Sequence, residues 1–342
     1  MQTDTLGTFQ EVLKNVCKGK RGAKDLAREE ARDALDHILS GHAQEAQVGA
    51  FLAAMRLKDA TVEELLGFLD ALRQHATTIQ PRVQDLLDCG NPYDGRNKFL
   101  PLDLAASITA CAAGVPVVLH GTRGLPPKRG ITTAQLLEAL GIATDIPPAE
   151  VQKRIESTGF GYLHAPRFIP RVEGLKPLRE ALGFRTFLNT CEIMLNPAGA
   201  RRRLMGAAHL PFLEKMTSVA SREEAIHAMT VMGAEGSCEV LLRPTKVVEW
   251  VRGEVRTWVL EPEALGLRPS DPPPVADVRE TAETLVALLE GKAPELEPGL
   301  LLNAGVRIYL GGKAGDVAQG IETARAVVAS GQAREKLEAL RA

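Results

Sequence analysis

Aromatic residues are scarce: Phe, Trp and Tyr together make up 4% of the 342 residues. The core must therefore come from Ala, Leu and Val, which favours helices and a covered parallel sheet over a β-sandwich. Charge of one sign is lacking too. Lys and Arg number 41 against 43 Asp and Glu, a formal net charge of −2, which excludes a uniformly basic nucleic-acid binder. A local basic patch stays open, because charges are felt over roughly 8 Å at physiological salt. The five cysteines, Cys17, Cys89, Cys111, Cys191 and Cys238, are scattered. None has a Cys or His partner at zinc-ligand spacing, so reduced thiols and no structural metal are expected. Long hydrophobic runs are absent. The longest stretch without charge or His, Leu104 to Leu119, has 16 residues and contains Gly114 and Pro116, short of the roughly 20 that span a bilayer. The first ten residues, MQTDTLGTFQ, show neither the basic nor the apolar region of a signal peptide. A cytoplasmic chain without a membrane partner is expected.

What is present suits a globular protein: 45% hydrophobic and 25% charged residues, in a length that suggests about two domains. Residues 1–76 read as helices throughout. Ala31, Leu35, Ile38 and Leu39 share one face before Gly41; Val48, Phe51, Leu52 and Met55 form a second stripe. Thr61 with Glu64 makes a capping box for a third helix, with Leu65, Phe68, Leu69 and Leu72 on its buried side. After Pro81 the pattern alternates. A helix over Leu104 to Ala113 leads into a buried strand, Gly114 to Leu119, which ends at His120-Gly121; a Pro/Gly/Arg-rich loop and a helix over Thr133 to Leu140 follow. The alternation continues through Val231, Val240-Leu241-Leu242 and Val247-Val248, as in a sheet with helices on its faces. The run RPSDPPP, residues 268–274, reads as a stiff linker or exposed loop. Two helices, Gly299 to Tyr309 and Val317 to Ser330, close the chain.

Several blocks, in order, carry a family resemblance: GHAQEAQVGAFLAAMRLKDATVEELLGFLDALR, AAGVPVVLHGTRG, GFGYLHAPRF, PLREALGFRTFLN, LNPAGA and LLNAGVRIYLGGKA. They resemble anthranilate phosphoribosyltransferases and the related nucleoside phosphorylases. The resemblance implies a small helical domain, residues 1–76 with an excursion near 168–190, beside a larger α/β glycosyltransferase-like domain over 80–342. It also implies a homodimer joined through the helical domains. The family's chemistry moves a phosphoribosyl group from phosphoribosyl pyrophosphate (PRPP) to an aromatic amine, with Mg²⁺.

The donor loop of such enzymes reads GTGGDG followed by Asn-x-Ser-Thr, and glycine lets its backbone N–H groups approach phosphate. The matching stretch here is CGNPYDGRNKFLPLDL. Gly90 and Gly95 remain, Pro92 removes a donor, Tyr93 adds bulk, and Pro101-Leu102-Asp103-Leu104 replaces the hydroxyl run. The family's Lys-His-Gly-Asn-Arg becomes Leu119-His120-Gly121-Thr122-Arg123, and its metal-binding Asp-Glu pair becomes Cys238-Glu239, which leaves Glu239 as one weak candidate Mg²⁺ ligand. Glu192-Ile193-Met194 stands for Gly-Pro-Leu, while Arg179 matches the arginine that contacts anthranilate. The substrate-like pocket implied is Gly90, Gly95, His120, Gly121, Arg123 and Arg179. No cofactor is expected, or Mg²⁺ if transfer is retained. The runs VCKGKRGAKDLAREEAR, YDGRNKF and VVLHG resemble a branch of the family, the YbiB-type proteins, which bind single- and double-stranded nucleic acid without marked sequence preference.

Charge distribution bears on that branch. Lys14, Lys18, Lys20, Arg21, Lys24 and Arg28 face only Asp25 over residues 12–28. Residues 151–215 carry a net +6, and residues 260–300 a net −6. Candidate nucleic-acid contacts are Lys18, Lys20, Arg21, Lys24, Arg167, Arg171, Lys176, Arg179 and Arg185; the alternative for each is a solvated surface or an ion pair. Phe160, Tyr162 and Phe168 interleave with the second cluster and are core residues or stacking surfaces. Three functions remain in competition. One is a non-catalytic, nucleic-acid-binding homodimer; one is an active phosphoribosyl or glycosyl transferase using PRPP and Mg²⁺ with anthranilate or another aromatic acceptor; one is a regulatory protein with a small-ligand pocket.

Overall fold

A computed structural model describes residues 5–19 and 21–341. The helical part comprises α1 (Thr5–Val16), α2 (Arg28–Leu39), α3 (Glu45–Lys58) and α4 (Val62–Gln74). The capping box at α4 forms: Glu64 N–H donates to Thr61 Oγ1 at 3.3 Å and the Glu64 carboxylate accepts Thr61 N–H at 2.8 Å. That carboxylate is buried and also takes the Leu26 N–H and Lys58 Nζ, each at 2.8 Å. One acidic side chain thus ties the approach to α2, the end of α3 and the start of α4 together. Gly67 lets α4 press on α2, since a Cβ there would lie 2.2 Å from the Arg28 carbonyl oxygen.

The larger part runs β1 (Leu87–Gly90), α5 (Asp103–Ala112), β2 (Val117–Gly121), α6 (Thr133–Ala139), α7 (Pro148–Thr158) and β3 (Phe160–His164). Short helices follow: α8 (Ala165–Phe168), α9 (Pro170–Glu173), α10 (Lys176–Leu182) and α11 (Phe187–Met194). Then come β4 (Arg202–Gly206), α12 (Leu210–Arg222), β5 (His227–Val231), β6 (Thr245–Val251) and β7 (Glu254–Leu260). Four helices finish it: α13 (Val278–Leu289), α14 (Glu297–Leu310), α15 (Val317–Ala329) and α16 (Gln332–Arg341).

The seven strands lie in the order β3-β2-β1-β4-β5-β6-β7, the first five parallel and the last two antiparallel. Side chains alternate across the sheet. Leu87, Val117, Leu119 and Leu204 join the core under α5 and the C-terminal helices, while Val118, Leu163, Met205 and Ala228 join the core shared with α1–α4. The helical domain therefore has no separate core; it closes one face of the sheet. The excursion reaches it through α11, where Phe187 stacks on Phe68 with centroids 4.1 Å apart.

Three local expectations change. The chain ends with α16 after the two helices read from the sequence. Val240-Leu241-Leu242 is not a strand, because Asn303 clamps Val240 by its N–H and its carbonyl at 2.8 Å each. RPSDPPP is not a free linker. Leu100 N–H donates to Pro273 O at 2.9 Å and Val275 N–H to Lys98 O at 3.0 Å, so the segment straps the loop after β1.

The chain lays down β1, β2 and β3 in one direction and returns to place β4 on the other side of β1. In open α/β sheets such a reversal leaves a crevice at the carboxyl ends of the strands, where ligands bind. No helix among the described residues is long and apolar enough to cross a membrane.

Candidate ligand site at the carboxyl ends of β1 and β2

β1 ends at Gly90, where a Cβ would lie 2.1 Å from the Ile193 carbonyl oxygen; only glycine lets α11 sit this close. The chain then turns through Gly95, at φ +74°, whose N–H donates to Pro92 O at 3.1 Å. A Cβ on Gly95 would meet Gly130 O at 2.5 Å. Both glycines are thus accounted for by packing, and the Gly95 amide is already used inside its own loop.

Between them, Tyr93 turns inward. Its hydroxyl lies 2.7 Å from His120 Nδ1, and the ring meets the imidazole edge-on. Burial pushes the phenol well above its usual value, so it stays protonated. The other imidazole nitrogen, Nε2, lies 3.3 Å from Asp88 Oδ2, and with the proton on that side facing the carboxylate, Nδ1 is left to accept from the phenol. His120 is a satisfied structural histidine on its Nδ1 side. Gly121 beside it leaves room for the Tyr162 hydroxyl, which a Cβ would approach to 3.1 Å.

Arg96 occupies the far end of the loop. Its guanidinium contacts Glu239 (3.3 and 3.4 Å), Ser237 Oγ (2.9 Å) and Glu235 (3.3 Å) while almost fully buried. Burial works against its charge, but Glu239 more than compensates and raises its pKa. Glu239 also accepts the N–H groups of Leu102 at 2.7 Å and Asp103 at 3.1 Å. Glu235 accepts the N–H groups of Asn97, Lys98 and Phe99 at 3.2, 3.0 and 3.2 Å. Although burial opposes it, these donors and Lys128 hold its carboxyl below the usual range. Lys128 itself is lowered, first by burial.

The residues present do not fit a divalent metal. Glu239 is saturated by a guanidinium and two amides. Its neighbour Cys238 is a buried thiol, pushed well up by the adjoining Cys89 and by burial, with Arg307 Nη2 at 3.3 Å. Among the described residues no three His, Cys, Asp or Glu side chains converge as a metal would require.

Arg179 is 2% exposed and forks onto the Glu192 carboxylate, with Nη2 at 3.0 Å. It therefore reaches neither a nucleic acid at the surface nor a free acid in a pocket: α11 supplies its own carboxylate. Arg123 pairs with Glu138, and Lys176 tethers the β2 loop by donating to Thr122 Oγ1 at 3.0 Å and Arg123 O at 2.9 Å.

The remaining candidates separate into two groups. Arg167 forks onto Asp145 at 2.5 and 2.9 Å, Lys176 also pairs with Glu173, and Arg185 Nε lies 3.4 Å from Asp94 Oδ2. Arg171 is the one candidate of this group that is exposed without an ion pair among the described residues, and Arg201 nearby is exposed with only the Glu224 carbonyl as partner; most of the other cations of residues 151–215 meet carboxylates. The N-terminal group stays on display. Lys18, Arg21 and Lys24 are exposed, with Lys18 donating to Asn15 at 3.1 Å; Lys20 lies outside the described residues. Phe160, Tyr162 and Phe168 are all buried core residues. The sequence reading missed Arg96 and Glu235 as organisers of the loop; the only hint was a lone arginine after Gly95 opposite two glutamates in one segment.

Similarity to known proteins agrees with this framework. The chain matches the glycosyl transferase family a/b domain over residues 88–334 and the same family's helical bundle domain over residues 10–76. It is 37% identical to the anthranilate phosphoribosyltransferase of Methanocorpusculum labreanum, over 92% of this chain and 93% of the relative. With that of Thermomicrobium roseum the figures are 36%, 92% and 91%. The crystal structure of the Thermus thermophilus enzyme (TrpD) superposes with a TM-score of 0.86 at 31% identity, covering 96% of this chain and 98% of that one. The Saccharomyces cerevisiae enzyme in complex with PRPP and Mg, at 23% identity, shares the fold with a TM-score of 0.83 over 97% and 96% of the chains.

Proposed function

Because this chain belongs to the anthranilate phosphoribosyltransferase family of glycosyl transferases, we propose that it has kept the family fold without ordinary PRPP transfer and that it binds nucleic acid. The observation that carries the first half is Tyr93, folded into the loop that would cradle a pyrophosphate and bonded to His120. Phosphoryl-bearing donors are held by aligned N–H groups and cations that await them. Here the Gly95 amide, Arg96 and Arg179 have all found partners within the protein. Glu239 answers Arg96 instead of Mg²⁺, so no step of this reading passes through the metal.

Nucleic-acid binding is supported by the exposed Lys18, Arg21 and Lys24, with Lys20 in the same run. Cations of this kind bind phosphates along a backbone without reading sequence, and their affinity falls with salt. On this reading the chain belongs with the YbiB-type branch and forms a homodimer joined through α1–α4, which light scattering checks directly. The second reading, an active transferase using PRPP and Mg²⁺, draws on the names of relatives at 34–37% identity.

One pair of measurements tests the two. Labelled single-stranded DNA is titrated at several salt concentrations, and thermal unfolding is recorded with PRPP plus Mg²⁺. Strongly salt-dependent DNA binding without a PRPP shift is expected. A Mg²⁺-dependent PRPP shift with weak DNA binding sinks the proposal and restores the enzyme.

A further inference from the structure

The sheet ends differently on its two sides. β3 is buried along all five of its residues, whereas β7 leaves five of its seven exposed. β7 pairs only with β6, so its far side is an open edge. The turn before it fixes which groups face that edge. Arg252 and Gly253, at φ +53° and +85°, form a two-residue hairpin turn closed by Val251 and Glu254. The closing pair of such a turn exchanges hydrogen bonds, and bonded pairs then alternate along the ladder. Glu254, Arg256, Trp258 and Leu260 therefore aim N–H and C=O at β6. Val255, Thr257 and Val259 aim theirs outward, and none of these N–H groups meets another backbone acceptor among the described residues.

This edge lacks the usual guards. Exposed strands are kept from pairing with other chains by Pro, Lys or a bulge. β7 reads EVRTWVL, without Pro or Lys, and its register with β6 runs through all seven pairs without a bulge. The outward residues carry uncharged β-branched side chains, of which Val255 is 56% and Val259 43% exposed. The one acid and the one base of the strand answer each other, Glu254 with Arg256 at 2.9 Å. No net charge therefore repels a second strand of the same sequence.

We propose that β7 is a self-pairing edge, on which a second copy of this chain lays its own β7 antiparallel and continues the sheet. The spacing of the outward residues selects this occupant. A twofold axis at Thr257 sets Thr257 against Thr257, Val255 against Val259 and Val259 against Val255. Those are the residues with free N–H and C=O groups, so every outward donor of one strand meets an outward acceptor of the other. Arg256 then comes opposite Trp258, a cation beside an aromatic ring. Moving the axis to Val255 or Val259 sets Thr257 against Gly253 of the turn or Glu261 beyond the strand, and pairs are lost. Seven residues are fewer than the roughly 20–30 a side of a standard interface, so the contact is reversible and depends on concentration. It is separate from association through α1–α4. A chain with both contacts has two twofold interfaces, which build a closed tetramer or an open filament.

The test follows amide hydrogen exchange and sedimentation velocity of the full chain over a range of concentrations. The Val255, Thr257 and Val259 amides should exchange fast in dilute protein and slow down as concentration rises. Those of Arg256 and Trp258, bonded to β6, should stay slow throughout. Val255→Lys with Val259→Lys sets lysine opposite lysine at both outer pairs and should weaken the pairing by about tenfold or more. Both positions are exposed, so the unfolding midpoint of this variant should hold. Fast exchange of the three amides at every concentration overturns the assignment. Protection or association that the lysine variant leaves unchanged at these amides overturns it too. Association through α1–α4 alone leaves the three amides fast, so failure of this edge and failure of the helical dimer are read separately.

Discussion

The Tyr93 hydroxyl and His120 Nδ1 lie 2.7 Å apart, and this contact joins the loop after β1 to the end of β2 inside the protein. Both side chains are buried there, and they satisfy each other. Arg179 with Glu192 and Arg96 with Glu239 repeat the pattern. In each case a buried polar or charged group is answered from within the protein.

Tyr93→Phe keeps the ring and removes the donor, leaving His120 Nδ1 buried and unpaired. The expected cost is about 1–3 kcal/mol. It should appear as a lower urea midpoint with an unchanged slope. An unchanged midpoint means that the contact does not hold the loop.

Arg179 and Glu192 are both about 2% exposed, so removing one partner strands a buried charge. Arg179→Met alone should cost about 3–5 kcal/mol, and Arg179→Met with Glu192→Leu should recover most of it. Chemical denaturation of the single and double variants checks this. A double variant no more stable than the single one shows that the pair is held by more than charge.

Much of this architecture is legible in the sequence, because its signals are local. The Thr61–Glu64 box, the apolar stripe of Phe51 and Met55, and the strand ending at His120-Gly121 all appear where periodicity places them. The turn after β1 is legible as well, since Gly95 closes it at a positive φ. Pairings across the fold are not. Arg96 meets Glu235 and Glu239 across roughly 140 residues, and Glu192 reaches Arg179 only because α10 and α11 turn back on one another. Net charge misled for the same reason: Arg167, Lys176, Arg179 and Arg185 look free in the sequence, yet each meets a carboxylate once folded.

Stability should fall on the acid side, and Glu249 is a defined contributor. Burial alone would raise its carboxyl, but His227 and Tyr309 at 2.7 Å and Trp258 at 3.0 Å hold it below the usual value. A depressed native pKa means that the unfolded chain binds the proton more readily. The contribution is therefore complete above the unfolded value of about 4.3 and is lost as pH falls through the native one. Glu223 and Glu235 are lowered too and act in the same window. Asp94, raised by burial against the pull of Arg185, acts oppositely and costs stability as pH climbs through its native value. Urea midpoints from pH 3 to 7 should show Glu249→Gln losing about 1–3 kcal/mol at neutral pH, with the gap closing towards pH 3. A gap independent of pH removes Glu249 from the acid limb.

The N-terminal cations offer the most direct check on nucleic-acid binding. Lys18, Arg21 and Lys24 stand exposed, and neither Arg21 nor Lys24 has an ion pair among the described residues, so the internal partner given up on meeting phosphate is the Asn15 side chain that Lys18 holds. Each contact to a single strand releases about 0.7 of a counterion, which sets the dependence of log affinity on log salt. Replacing Lys18, Lys20, Arg21 and Lys24 by Ala should therefore lower that slope by about 2–3 and weaken different strand sequences alike. Exposed side chains of this kind contribute little to folding, so the unfolding midpoint should barely move. An unchanged slope assigns the cluster to plain solvation. A slope that falls only on replacing Arg171 transfers the contact to the face beside α9.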